Sequence, residues 1–254
     1  EFPIDSKLQI IGKNAFGFSI FTSFIVPPQV KKIDEGAFGN CQELNDFVIP
    51  KNSELKIIEK DAFSHSKIEK IYLPKNLELK DGWCSWINAL NEIEVSPFNR
   101  NYVFKDNKYL LGKSDMNNDD YDVLLFAHRD IESADIPSNI KIISSYAFNL
   151  CLKLKKVNFP EDSKLQTIMN HSFSNTSIEN IFIPRVSNID EYSFSYCNNL
   201  CSLKISDDSE LRVFNRYILA SSKLSELYIP GNVVELKENW CSWIYDLTDI
   251  KISP

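Results

Sequence analysis

The chain has 254 residues, 43% hydrophobic and 25% charged, which is globular composition with enough apolar material for an extended core. Its formal net charge is −7 and no basic run interrupts the scattered lysines, so a phosphate backbone is repelled and nucleic acid is excluded as a partner. No stretch reaches the roughly 18 apolar residues that would span a bilayer, no basic segment followed by an apolar one opens the chain, and seven glycines argue against flexible linkers.

The first predicted element is a strand in residues 21–27 (FTSFIVP), followed by 44–50 (LNDFVIP), 68–74 (IEKIYLP) and 90–97 (LNEIEVSP). After a gap come 131–137 (IESADIP), 154–160 (LKKVNFP), 178–184 (IENIFIP), 200–206 (LCSLKIS), 224–230 (LSELYIP) and 247–254 (LTDIKISP). Start-to-start spacings are 23, 24, 22, 41, 23, 24, 22, 24 and 23. Each unit carries apolar residues at positions one, four and six. Its end alternates with period two, the mark of a short strand with one buried face. The proline that usually follows stops the ladder and forces a turn.

A second element precedes most strands. Ala15-Phe16, Ala37-Phe38, Ala62-Phe63, Ala147-Phe148, Ser172-Phe173 and Ser193-Phe194 lie five or six residues before a strand start, and Cys41, Cys151 and Cys197 lie three before one. Between proline and this corner sits another apolar group, such as Val30/Ile33, Ile57/Ile58, Ile140/Ile143 or Ile189, which returns the chain to the core. One such coil cannot bury its apolar face alone. Coils stacked with strands about 4.8 Å apart bury it continuously.

These units closely resemble the BspA-like leucine-rich repeats, which read roughly L-x-x-I-x-I-P…V-x-x-I-x-x-x-A-F-x-x-C. Residues 44–50 and 136–151 (IPSNIKIISSYAFNLC) are near-ideal copies, and the resemblance covers essentially the whole chain. It implies a β-rich right-handed leucine-rich-repeat solenoid of the α/β type. About ten short parallel strands and short helical or irregular corners are expected.

Residues 49–97 align with 205–254, a duplication in which IPKNSELK and WCSWINALNEIEVSP match ISDDSELR and WCSWIYDLTDIKISP. The single solenoid, 1–254, therefore divides into repeat block 1–97, an insertion at 98–130 and repeat block 131–254. Strand-like YVF, YLLG and DVLLF segments make the insertion a small β-meander. Because the second block stops at Pro254, the counterpart of Pro97, the chain is expected to be a fragment of a longer array.

No catalytic, metal or cofactor site is expected. Cys84 and Cys241 take the Phe slot and the other thiols sit in corners too far apart for disulfides; only Cys197 and Cys201 are close in sequence, so buried structural thiols are the reading. The Trp83-Cys84-Ser85-Trp86 and Trp240-Cys241-Ser242-Trp243 motifs read as packing at a wider corner rather than as a site. His65, His128 and His171 lie in separate coils. Residues 115–119 (DMNND) begin like a calcium loop, but Asp120 and Phe126 replace the required Gly and Glu, so a solvated turn fits better.

Strand positions three and five point outward. Ile25, Val48 and Tyr72 then form an apolar stripe, and Phe182 and Tyr228 flank Lys204. Exposed aromatics beside charges are typical of binding hot spots, although strand propensity alone also places such residues. The resemblance implies a surface protein of mucosal bacteria or protozoan parasites, a non-enzymatic adhesion or recognition module and surface antigen. Its partner would be a host or matrix protein, or a glycan. Asn170 and Asn175 are candidate glycosylation acceptors. The alternative is a cytoplasmic interaction scaffold, which unpaired cysteines favour.

Overall fold

The computed structural model describes residues 2–3, 5–117 and 119–253. Asn118, in the turn compared above with a calcium loop, and Glu1 and Pro254 lie outside the described residues. Two compact units result, Glu1–Gly112 and Lys113–Pro254. Among the described residues there is no helix.

The first unit contains β1 (Ile10–Ile11), β2 (Ser23–Ile25), β3 (Lys32–Ile33), β4 (Asp46–Val48), β5 (Ile57–Ile58) and β6 (Lys70–Leu73). It continues through β7 (Glu78–Leu79), β8 (Glu92–Val95), β9 (Tyr102–Lys105) and β10 (Tyr109–Gly112). The even-numbered strands β2 to β8 are the expected ones. The odd-numbered β1 to β7 form a second parallel ladder on the returning apolar group. In each of these short strands one residue is buried, as with Ile33, Ile58 and Leu79. β9 and β10 form an antiparallel hairpin turned by Asp106 and Asn107, both at positive φ as a two-residue type I′ turn requires. Tyr102 Oη accepts the Leu79 N–H at 2.8 Å, which satisfies an amide of β7 at the edge of its ladder.

The second unit contains β11 (Val123–Ala127), β12 (Ser133–Asp135), β13 (Ile142–Ile143), β14 (Lys156–Asn158), β15 (Thr167–Ile168) and β16 (Asn180–Ile183). Then come β17 (Asn188–Ile189), β18 (Ser202–Ile205), β19 (Val213–Phe214), β20 (Glu226–Ile229), β21 (Glu235–Leu236) and β22 (Asp249–Ile252). Here too the even-numbered strands from β12 are the expected ones. β11, one of the three strands read in 98–130, pairs in parallel with β13 and so belongs to the returning ladder.

The corners supply a third ladder. Phe16 N–H donates to Ala37 O at 2.8 Å and Phe38 N–H to Ala62 O at 2.8 Å. In the second unit Phe148 N–H reaches Ser172 O and Phe173 N–H reaches Ser193 O, at 2.7 and 2.8 Å. The Phe rings follow the same path: Phe38, Phe63, Phe148, Phe173 and Phe194 are fully buried. Phe173 stacks on Phe148 and Phe194 at 4.8 and 5.1 Å. Each corner is bracketed by two residues at positive φ four positions apart, such as Asn14/Phe18, Gly36/Asn40 and Asp61/His65, or Tyr146/Leu150, His171/Asn175 and Tyr192/Tyr196.

The outer ladder is not continuous, and coil length says where it breaks. Ile57 follows Val48 by nine positions, as Thr167 follows Asn158 and Val213 follows Lys204. In the other coils the step is six or seven. The longer turns share a form in which a serine hydroxyl accepts an N–H two residues on: Leu55 to Ser53, Leu165 to Ser163 and Leu211 to Ser209. After a short turn the strands pair fully, as in β2–β4, β6–β8, β16–β18 and β20–β22. After a long turn β4 and β6 share no ladder, nor do β18 and β20, and β14 meets β16 only at Lys156↔Asn180. Two extra residues enlarge the coil, so the strand of the next coil no longer meets its neighbour along its length.

Candidate interaction surface

The outward positions of the even-numbered strands make one face in each unit. Ile25 lies opposite Val48 across the β2–β4 ladder, and both are exposed, at 58% and 39%. Tyr72 follows on the next outward strand, which shares no ladder with β4. The β4/β6 split places it, half-buried, in the wall of a groove of about 580 Å3 that Val48, Lys51, Lys70 and Glu94 also line. Lys51 is held by Glu94 at 3.1 Å, and Lys70 pairs with Glu92.

In the second unit Phe182 lies directly opposite Lys204, and half of the Phe182 surface is exposed. Tyr228 lies opposite Lys251, whose ammonium stands 5.2 Å from the ring centre. Hydrogen bonds from Lys251 to Glu226, Asp249 and Tyr228 raise its pKa. A groove of about 480 Å3 opens at the thinned β14/β16 ladder, lined by Lys155, Lys156, Asn158, Asn180, Phe182 and Lys204 among others. Sequence reasoning set these residues outward, apart from Lys155, but did not see the groove. The signal was the 24-residue spacing.

The cysteines divide. Cys41, Cys84, Cys151 and Cys197 are buried as expected, but Cys201 is exposed and Cys241 is half-buried. Cys201 follows the inward Leu200 at the mouth of its strand, where side chains face solvent. Among the described residues no disulfide joins Cys41, Cys151, Cys197, Cys201 or Cys241 to another cysteine. Cys41 and Cys197 donate S–H to the Phe16 and Phe173 carbonyls one coil earlier, at 3.0 and 3.1 Å. Burial pushes Cys197 up to about 11, far from the thiolate a nucleophile needs. Arg129 guanidinium donates to Ala147 O at 2.9 Å beside Cys151, whose pKa burial raises against the pull of that cation.

Trp83 is buried, filling the Ala slot, while Cys84 takes the Phe slot. Trp86 stacks on His65 at 5.8 Å, and Trp243 stacks on Tyr217 at 5.8 Å with half its surface exposed. Asp115 closes an Asx turn with the Asn117 N–H at 2.9 Å. Among the described residues no group of three His, Cys, Asp or Glu side chains converges on a metal position. Among them, too, no helix is long and apolar enough to cross a membrane. Asn170 is exposed, and Asn175 is half-buried.

Stacked coils with a parallel ladder, an inward Leu/Ile comb and a Phe corner define a leucine-rich-repeat solenoid. A family model described as a BspA type leucine rich repeat region matches residues 1–110 and 123–247 in six copies, so the chain belongs to the BspA-type leucine-rich-repeat family. Among solved structures it is similar to a leucine-rich repeat protein from Eubacterium ventriosum, at 21% identity and TM-score 0.81 over 97% of this chain and 71% of that one. It is also similar to the pneumococcal vaccine antigen PcpA, at 21% identity and TM-score 0.71 over 98% and 72%. A third is a leucine rich cell surface protein from Faecalibacterium prausnitzii, at 21% identity and TM-score 0.66 over 92% and 60%. These likenesses concern the fold. A search of the curated proteins gives no match.

Proposed function

We propose that this chain is a non-enzymatic recognition and adhesion module of a cell-surface protein, binding host or matrix macromolecules through the outward face of its even-numbered strands. One observation carries the reading: Ile25 and Val48 in the first unit, and Phe182 and Tyr228 in the second, are exposed on the outward strand positions of their own unit, although the fold has buried core positions beside each of them. Exposed apolar and aromatic residues grouped on one face mark interaction sites. Two of the similar structures support the surface location, one being a cell surface protein and one a vaccine antigen.

The test is a screen of immobilised matrix proteins and glycans against the native chain and a face variant. That variant carries Ile25→Asp, Val48→Asp, Tyr72→Ala, Phe182→Ala, Lys204→Glu and Tyr228→Ala. Binding by the native chain that the folded variant loses supports the reading, and equal binding by both refutes it. A second reading, a cytoplasmic protein-interaction scaffold, is favoured by cysteines such as Cys41, Cys151 and Cys197 that form no disulfide, which suits a reducing compartment.

A further inference from the structure

On the outward face two lysines are neutralised by a carboxylate of the same strand or a neighbouring coil. Lys70 pairs with Glu92 and Lys251 with Glu226 and Asp249. Lys156 and Lys204 differ. Among the described residues their ammonium groups make no ion pair or hydrogen bond, and neither does that of Lys155. The three lysines share the β14/β16 groove with one carboxylate, Glu179. This is a local positive patch on a chain whose net charge is −7. Between the cations stand Asn180, Ser202 and the exposed ring of Phe182. Register fixes the order across three strands, with Lys156 opposite Asn180, Asn180 opposite Ser202 and Phe182 opposite Lys204.

We propose that this groove binds an acidic polysaccharide, carboxylated or sulfated; the inference rests on reading the outward face as a recognition surface. Each component suits that ligand. Unpaired ammonium groups attract its charges as rotatable point donors, without demanding one anion geometry. The Asn180 amide and Ser202 hydroxyl can both donate to and accept from sugar hydroxyls. The face of Phe182 offers an apolar plate for a sugar's C–H surface. The same composition argues against an acidic protein segment, because Lys and Ser are depleted in protein interfaces and Trp, Tyr and Arg carry their hot spots. The longer turn supplies the space.

The experiment titrates the whole chain with hyaluronan (carboxylates only), chondroitin sulfate (carboxylates and sulfates), a neutral chitin oligosaccharide and poly-glutamate. At least one of the two acidic glycans should bind, and the neutral sugar should not. Preference between hyaluronan and chondroitin sulfate tells which anion is read. Affinity should collapse toward roughly 1 M salt, where screening acts within about 3 Å. Lys156→Glu with Lys204→Glu should weaken binding at least about tenfold. Phe182→Ala should weaken it severalfold while leaving the salt dependence unchanged.

Absence of binding to both acidic glycans overturns the proposal, as does binding unaffected by the double lysine variant. Poly-glutamate binding as tightly as the glycans, with Phe182→Ala silent, overturns it in favour of an acidic protein. All three outcomes leave the outward-face reading intact, provided the six-residue face variant still loses its matrix partners; only retained binding by that variant removes the broader reading.

Discussion

The two units build their outward grooves by the same device and fill them differently. In both, a coil of 24 residues lies where the outer ladder breaks or thins, between β4 and β6 in the first unit and between β14 and β16 in the second. In the first unit the opening between β4 and β6 is laced by ion pairs, Lys51 with Glu94 and Lys70 with Glu92. In the second, the opening between β14 and β16 leaves its lysines unpaired. Both grooves lie at long coils, and single outward residues set what each can hold.

The corners differ in the same way. The first positive-φ position of each corner is Asn14, Gly36, Asp61 and Gly82 in the first unit, residue types that visit this region at low cost. In the second unit it is Tyr146, His171, Tyr192, Tyr217 and Asn239. Bulky residues there are strained. The compensation is a column of rings: Tyr146–His171, His171–Tyr192 and Tyr192–Tyr217 stack at 4.9, 4.6 and 4.8 Å. At this first position one unit uses residues that tolerate positive φ and the other offsets the strain with stacking between coils, whereas the second position carries Phe18, His65 and Trp86 in the first unit.

The largest effect should fall on what the units share. Phe63→Ala and Phe173→Ala each remove a fully buried ring and should cost about 3–5 kcal/mol in urea unfolding. A much smaller cost in one unit would break the equivalence of the corners.

Next comes a clasp of the second unit. The buried Asp122 carboxylate accepts from Lys141 Nζ at 2.9 Å and from the Ser114 N–H and hydroxyl at 2.8 and 2.7 Å. Burial raises its pKa, but these bonds outweigh burial and hold it below the usual carboxylate value. Its stabilisation is therefore present above the unfolded-state pKa and lost as pH falls through the lower folded value. Asp122→Ala should cost about 3 kcal/mol at neutral pH. Asp122→Asn should flatten the acid limb of stability against pH, and an unchanged acid limb would assign that limb to other groups.

The corner contrast predicts a smaller, signed difference. A Cβ on Gly36 would lie 2.3 Å from Asn14 Oδ1 at φ +63°, so Gly36→Ala should destabilise by about 1–2 kcal/mol. Tyr192→Ala keeps the strain and loses two stacks, at about 1–2 kcal/mol. Tyr192→Gly relieves the strain and should cost less than the alanine variant in thermal unfolding. The opposite order would mean the ring column is not what tolerates the positive φ.

The ten outward-facing strands were legible because each has two apolar residues in alternation, such as the buried Ile71 and Leu73. The second ladder was not, because a strand with one buried residue has no alternation to read; Ile33, Ile58 and Ile189 showed only as an apolar group. The positive-φ tyrosines were hidden for another reason. Residue preference argues against that conformation, and the partner that permits it lies a coil away. Cys201 was grouped with the buried thiols, yet its place beside Leu200 on an outward turn exposes it. The 24-residue spacings were visible, but only paired registers show that they part the ladder.

The most direct test of the account removes Glu161 and Asp162 from the long turn after β14, bringing its step down from nine to seven. With cooperative unfolding preserved, β14 and β16 should pair fully and the groove should close. Acidic-glycan affinity, measured by titration, should then drop to that of the Lys156→Glu/Lys204→Glu variant, even though the deletion makes the chain less acidic. Affinity that holds or rises would show that charge alone, and not the opening made by the longer coil, governs recognition.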